Sequence, residues 1–440
     1  MPEIVSGADA VAESSIEPRA TGLPLAERRK LLGFAGLMML LGIMAAPYGG
    51  LLSLPMLFFL KNRLHLAAHE MAVFNMLTSI PLYAAFGFGL LRDRWSPFGL
   101  GDRGHLMLFG LLTAVGYGAL AFANPSYAVL LVGLTLVTAS IQTVLAAANG
   151  LFSTIGQRHL MAGQASAVLN ISVVLPSLAG FLLGGMFSQM LEIQDAAGAA
   201  RRLFLVGAGL MVAIAMVGAF APRRLFAAHD APTDTRIVDD LARLVRSWPI
   251  YPPLILLLLW NFAPSFGTAL QYHLANTLHA SDAQVGGFYA IFWGGYIPSF
   301  LAYGWLCQRV PLAKLLLWST LLAVPQMLPL LFVHTAVGAL WAAVPMSLMG
   351  GLASAAYIDL AIRSCPKGLQ GTMMLLVSTS AYFVALRLGD LVGTDIYDHH
   401  GGFVMTVVAS TCVYALMLPV LLLAPRRITS STDGQALGVI

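Results

Sequence analysis

Apolar runs of about twenty residues recur along this chain, and nothing else in the sequence restricts its fold so strongly. The hydrocarbon core of a bilayer is about 30 Å thick and takes about 20 helical residues to cross. Inside it every backbone polar group must find a partner, which leaves helices and closed barrels. The runs are continuous rather than alternating, so they are helices and not barrel strands. Twelve are expected, at 31–60, 71–91, 106–123, 127–155, 160–190, 203–221, 252–273, 284–306, 312–333, 336–362, 371–394 and 403–425. Composition agrees: 58% of residues are hydrophobic and 10% charged, against about 25% charged in an average soluble domain. The expected fold class is an all-α polytopic membrane protein.

Charge orients these helices. With both termini on the cytoplasmic side, the segments facing the cytoplasm hold nineteen of the 24 lysines and arginines. Lys61, Arg63, Arg201 and Arg202 fall outside, and Arg387 lies within span 11. Lys and Arg in short loops favour the cytoplasmic side, so an inner (plasma) membrane protein with both termini cytoplasmic is expected. The net charge of +4 follows from this bias and needs no nucleic-acid partner. Three scattered cysteines, Cys307, Cys365 and Cys412, frame neither a disulfide scaffold nor a zinc site.

The chain also repeats itself. Leu60, Asn62, Leu64, His65 and Phe74 return 214 positions later as Leu274, Asn276, Leu278, His279 and Phe288, each set beginning at the end of an apolar segment interrupted by Ala-Pro (Ala46-Pro47, Ala263-Pro264). Such an echo indicates a doubled six-helix unit, the build of many secondary transporters. The organisation expected is a disordered cytoplasmic tail at 1–30, a six-helix bundle at 31–221, a cytoplasmic linker at 222–250, a second bundle at 251–425 and a tail at 426–440. His65, His69 and Glu70 lack a third ligand at metal spacing, and the return of His65 as His279 favours a helix-end role. Prolines at 47, 55, 176, 264 and 298 suit bending helices.

A second matched pair lies between spans 2 and 3 and between spans 8 and 9. Gly89, Asp93 and Arg94 correspond to Gly304, Gln308 and Arg309. The first set resembles the inner-loop signature of the major facilitator superfamily, Gly-x-x-x-Asp-Arg, and the resemblance implies a role in gating. Gln308 in place of the acid implies a weaker latch in the second half. The run Tyr357 to Thr372, with Asp359, Cys365-Pro366 and Gly371-Thr372, is similar to the folate–biopterin transporter family. So are Pro81-Leu82-Tyr83, Arg94 to Gly99 and Tyr272 to Leu278. Gly101-Asp102-Arg103 departs from that family's usual run of basic residues. The resemblance implies a twelve-helix fold of two pseudo-repeat bundles and a small organic solute, folate- or pterin-like or another organic anion.

Polar groups inside spans are costly and mark candidate sites. Arg387 and Asp390, three apart on span 11, are expected to neutralise each other, with Arg387 meeting an anionic solute or Asp390 carrying a coupling proton. Arg387 is expected to be the one buried arginine. Asp359 and Arg363 form an acid-before-base helical pair, an expected inner gate with Asp93 or Arg94, and Asp359 is a second coupling candidate. By the superfamily's arrangement, Gln142, Asn149, Asn261 and Tyr357 are implied to line a central cavity, with Tyr48 and Asn75 nearby. A packing hydrogen bond is expected for Gln326.

The function expected is secondary active transport by alternating access, coupled to a proton or sodium, in a monomer that uses no cofactor or metal and has no catalytic residues. Phosphate-loop and zinc-protease motifs are missing from the sequence. The alternative is a non-transporting assembly or pigment-delivery factor on the same fold.

Overall fold

The computed structural model describes residues 23–62, 64–66, 68–192, 196–221, 226 and 236–435. Most of the expected N-terminal tail and most of the first part of the linker lie outside the described residues. Every regular element among the described residues is helical, and the helices form twelve segments. Span 1 runs Leu25–Ala45 and, after a break, Ser53–Asn62; span 2 is Ala68–Thr78, Ile80–Tyr83 and Ala85–Arg94. Spans 3 to 6 are Asp102–Phe122, Tyr127–Arg158, Ala162–Glu192 and Ala196–Phe220. Span 7 is Tyr251–Asn261 followed by Thr268–Thr277, and span 8 is Asp282–Gly294 and Tyr296–Leu306. Spans 9 to 12 are Leu312–Phe332, Ala336–Ser364, Gln370–His399 and Gly402–Leu421.

Eight of these, spans 3–6 and 9–12, are each long and apolar enough to cross a bilayer as one helix. The other four, spans 1, 2, 7 and 8, are divided into shorter helices and hold matched positions in the two repeats. Spans 9 and 12 also carry turns within them, at 324–327 and at Leu416. Pro47 and Pro264 sit in the two largest breaks, where a missing amide and a ring clash end the helix. The backbone groups freed there need partners inside the membrane, and neighbouring side chains supply them. In the first repeat the Tyr117 hydroxyl donates to the Ala45 carbonyl and the Ser177 hydroxyl to that of Gly49. In the second, the Ser410 hydroxyl accepts from the Ser265 amide and Asp390 accepts from that of Thr268.

The echoed residues explain themselves as a helix end. His65 and His279 both adopt left-handed backbone, φ 53° and 50°, and both are exposed. Across them the Leu66 amide reaches the Leu60 carbonyl at 3.3 Å, and the Ala280 amide that of Leu274 at 2.9 Å. Leu60 and Leu274 are buried beneath these caps, as are Phe74 and Phe288. The repeat thus preserves a C-terminal cap of the kind that closes a helix through one left-handed residue. His279→Gly is expected to leave the thermal midpoint unchanged or raise it, because a side chain at positive φ costs about 1–2 kcal/mol. His279→Val should lower stability by about that amount. Equal losses in both variants, measured by thermal unfolding in detergent, would show that the imidazole itself is needed.

Across the seam between the halves, spans 2 and 4 pack on span 11, and span 5 packs on spans 8 and 10. The helix Ile237–Arg246 of the linker is tied to the first half by Arg94 Nη1 on Asp240 at 2.7 Å, with Asp240 buried. The described part of the linker is therefore attached rather than only solvated.

Candidate functional site

The hydrogen bonds that join the halves gather toward the end carrying the short basic loops, called the inner end below. Asp93, at the C-terminus of span 2, accepts from the amides of Gly371 (2.9 Å) and Thr372 (2.7 Å) and from the Thr372 hydroxyl (2.7 Å) at the start of span 11. A helix N-terminus presents free amides and partial positive charge, so a carboxylate seats well there. Arg92 donates to Asp93 at 2.7 Å and grips both oxygens of Asp102 at 2.5 and 2.6 Å. This cluster is buried, with Arg92 only 2% exposed. Two glycines admit it. A Cβ on Gly89 would lie 2.5 Å from the Gly371 carbonyl oxygen, and one on Gly150 would lie 2.5 Å from the Arg92 guanidinium carbon.

Other bonds close the same end. Gln157 on span 4 donates to the carbonyls of Ile362 (2.9 Å) and Cys365 (2.7 Å) at the end of span 10. Ser166 on span 5 donates to the Ala355 carbonyl at 2.6 Å, and the Ser354 hydroxyl to Asn170 at 3.3 Å. Arg363 bonds Asp359 at 2.7 Å, as the spacing predicts, and Tyr303 donates to the same carboxylate at 2.7 Å. The further partner expected for this pair was Asp93 or Arg94. Instead Arg363 reaches Asp433, beyond span 12, at 2.9 Å. Asp93 is held away by span 11, and Arg94 by Asp240.

Farther from the inner end the halves meet more sparingly. Ser380 accepts from the Phe86 amide at 3.2 Å, and Tyr48 meets Phe383 edge-on with ring centroids 5.8 Å apart. Residues 380, 383 and 387 share one stripe of span 11. One turn beyond Phe383, Arg387 is exposed and forms no ion pair among the described residues. The expected Arg387–Asp390 pair is therefore not made. Among the described residues the buried arginine is Arg92, and Asp390 turns toward span 7. There it accepts from the amide (2.8 Å) and hydroxyl (3.0 Å) of Thr268, capping the helix that resumes after the break. Three-residue spacing put the pair on one face; the unsatisfied amide of a neighbouring helix decided which partner the acid took.

The expected cavity residues divide. Tyr48 is half-buried, and its hydroxyl accepts from Gln142 at 2.6 Å. Gln142 and Asn149 face span 1 and are almost wholly enclosed; Asn149 donates to the Leu145 carbonyl at 2.9 Å. Their amide oxygens, Gln142 Oε1 and Asn149 Oδ1, have no partner within the described structure. Tyr357 is fully buried, bonded to Thr320 at 2.9 Å and edge-on to Trp260, so it faces the interior of the second half. Asn261 is half-buried and bonds its own helix at Leu257, while Asn75 is exposed. Gln326 makes the expected packing bond, to Tyr296 at 3.2 Å.

In the second repeat Gly304 packs on Ala167, 3.3 Å from the position of its absent Cβ. Gln308 and Arg309 are exposed: Gln308 bonds the Gly304 carbonyl, and Arg309 lies 4.0 Å over the Trp305 ring.

A family model described as Major Facilitator Superfamily matches residues 39–386, most of both halves. The chain belongs to the major facilitator superfamily. As a member it is an integral membrane protein with the fold of twelve helices in two pseudo-repeat bundles. Among curated proteins it is similar to Folate transporter 2 of Plasmodium falciparum, 22% identical over 311 residues, 69% of this chain and 66% of that protein. The match thus spans just under two thirds of the relative's length. Among solved structures it is similar to a human organic anion transporter, with TM-score 0.67, 18% identity and coverage of 91% of this chain and 100% of that one. It is also similar to the E. coli fucose:proton symporter (TM-score 0.66, 15% identity, 90% and 100% coverage). A bacterial homologue of the iron transporter ferroportin in its outward-facing state gives 0.63, 16%, 89% and 98%. At these identities the solved structures establish the fold.

Within this superfamily fold, sequence reasoning found Gly89, Asp93 and Arg94 but passed over their partners. Asp102, counted as a departure from the family pattern, is the buried counter-ion of Arg92. Arg103 beside it donates to the Gly218 and Ala219 carbonyls at the end of span 6, a favourable place for a cation. Gly371-Thr372 was visible as a family signature, though not as the seat of Asp93.

Proposed function

We propose that this chain is a secondary transporter that carries a small organic anion between its two halves by alternating access, with folate- and pterin-like solutes as the leading class. The observation that carries the reading is Arg387, an exposed guanidinium on the stripe of span 11 that meets the other half at Ser380 and Phe383. A cation at membrane depth is costly unless water or an anion meets it, and a guanidinium matches a carboxylate fork. Tyr48 and Phe383 offer rings beside it for a flat aromatic solute. The folate and organic anion transporters among the similar proteins support the same class.

In this reading Tyr48, Gln142, Asn149, Asn261 and Asn75 join Arg387 around the solute as the halves move, while Tyr357 stays packed in the interior of the second half. Asp359 and Asp390 are the acids for a coupling proton or sodium ion. The cluster of Gly89, Asp93 and Arg94, with Arg363 and the packing of Gly304 on Ala167, holds the inner end shut. Gln308 and Arg309, bonded to their own helix, take no part in that closure. The excess of basic residues makes that end cytoplasmic, with both termini there, in the plasma membrane. The protein acts as a monomeric carrier, not an enzyme, built of a bundle at 31–221 and a second at 251–425. Purified protein in proteoliposomes should take up labelled folate or a pterin, and the same solutes should raise its thermal midpoint. Absence of both effects across folates, pterins and simple organic acids would remove the anion reading.

A further inference from the structure

The second repeat lacks the acid that latches the first, yet the helix start facing it is capped all the same. In the first repeat the start is Gln370-Gly371-Thr372, seated on Asp93. In the second it is Ala162-Gly163-Gln164, opening span 5. Gln308 stands where an acid is expected, but its side chain is exposed and bonds its own helix. The amides of Gly163 (3.1 Å) and Gln164 (3.0 Å) donate instead to Asp433, which follows span 12. Arg363 lies on Asp433 at 2.9 Å, as Arg92 lies on Asp93 at 2.7 Å. Each carboxylate side chain is 1% exposed. Both sites therefore hold a buried acid, a guanidinium and two successive amides, the first from glycine.

The segment around Asp433 is fastened on both sides of the seam. Toward the first half, the Gly434 amide donates to the Leu160 carbonyl at 2.6 Å. Toward the second, the Asp433 amide donates to the Cys307 carbonyl at 3.0 Å, and Arg363 donates to the Ser431 carbonyl (3.0 Å) and hydroxyl (3.1 Å). A Cβ on Gly163 would lie 2.5 Å from that of Cys307, so the halves are in direct contact beneath the segment.

We infer that Asp433 is the gating acid of the second repeat: the segment 431–434 locks span 5 to spans 8 and 10, and it must leave this seat before the inner end opens. The inference rests on the reading that the halves rock about a central site. The seat is suited to release. Asp359 and Arg363 face Asp433 from span 10, and Cys307 and Tyr303 lie on the span 8 side. Burial, with Asp359 nearby, pushes the Asp433 carboxyl up to about 6 against the pull of Arg363 and the two amides. Its charge is thus held less favourably than in water. Docking gains stability as pH falls below about 6 and loses that gain as pH rises through it.

The test uses the full chain with Asp433→Asn, Asp433→Glu and, for calibration, Asp93→Asn. Spin labels at Leu100 in loop 2–3 and Lys367 in loop 10–11, in a background without native cysteines, report the separation of the halves at the inner end. In separate samples that keep Cys307 alone, its rate of maleimide labelling reports whether the segment has left. Asp433→Asn should label Cys307 at least about tenfold faster, since its NH2 would face the donating amides of Gly163 or Gln164 or the Arg363 guanidinium, and a buried donor left without an acceptor costs about 1–3 kcal/mol. It should also add a longer inter-label distance, and Asp433→Glu should lie nearer the unmutated protein in both. Faster labelling with the distance unchanged would mean a local tie and overturn the inference, as would no change in either. If Asp93→Asn moves the distance while Asp433→Asn does not, only the role of Asp433 falls. If neither moves it, the rocking reading falls as well.

Discussion

Replacing Asp93 with asparagine is expected to open the inner end of the bundle. The variant keeps the shape of the side chain but removes the charge that two amides, one hydroxyl and Arg92 share. Taking two of these as charge-assisted bonds at about 1.5 kcal/mol each, the closed form loses about 3 kcal/mol. At about 1.4 kcal/mol per decade this is roughly a hundredfold shift in population. Spin labels at Leu100 and Lys367 should then show a longer distance as the main population. Gly89→Ala should act in the same direction without touching charge. Its Cβ would fall 2.5 Å from a backbone oxygen of Gly371 and 2.6 Å from the Thr372 Cα, and neither can turn aside as a flexible side chain would. Unchanged distances in both variants would mean that this cluster does not hold the halves together.

Arg387→Ala is expected to cost the protein its solute while leaving its fold intact. The side chain is exposed and makes no ion pair among the described residues, so its removal leaves no buried charge without a partner. A charge-assisted bond to a carboxylate is worth about 1.5–3 kcal/mol, so affinity should fall roughly ten- to a hundredfold. Arg387→Lys should recover part of this, since lysine keeps the charge but not the planar fork. Leu388→Ala, next along the helix and also exposed, should bind as the unmutated protein does. Binding by thermal shift and uptake into proteoliposomes would both read the effect. An Arg387→Ala variant that binds and carries the solute normally would take the anion site away from span 11.

Some of the site was legible in the chain because it depends on local order. Gly89 and Asp93 lie four apart, and the close approach and the capping acid fall on one face of span 2. Asp359 and Arg363 pair within one helix, as acid-before-base spacing predicts. The partners were not legible because they come from far along the chain: Asp93 meets residues 278 and 279 positions away. Arg387 and Asp390 were misread for the same reason. Their spacing allows a pair, but an unpaired amide at Thr268 binds Asp390 first. Asp433 carried no signal at all, since a lone acid after the last span resembles any tail residue.

By itself the sequence determined that this is a membrane bundle of twelve helices, doubled, with paired interruptions in matching spans. Apolar length and repeated residues suffice for that, because hydrocarbon imposes the same demand on every span independently. Only the tertiary structure decided which acid seats on which helix start, and that the second repeat borrows its acid from beyond span 12. A carboxylate's partner is whichever exposed amide or guanidinium the packing brings within 3 Å, and packing is a property of the whole bundle rather than of any one segment.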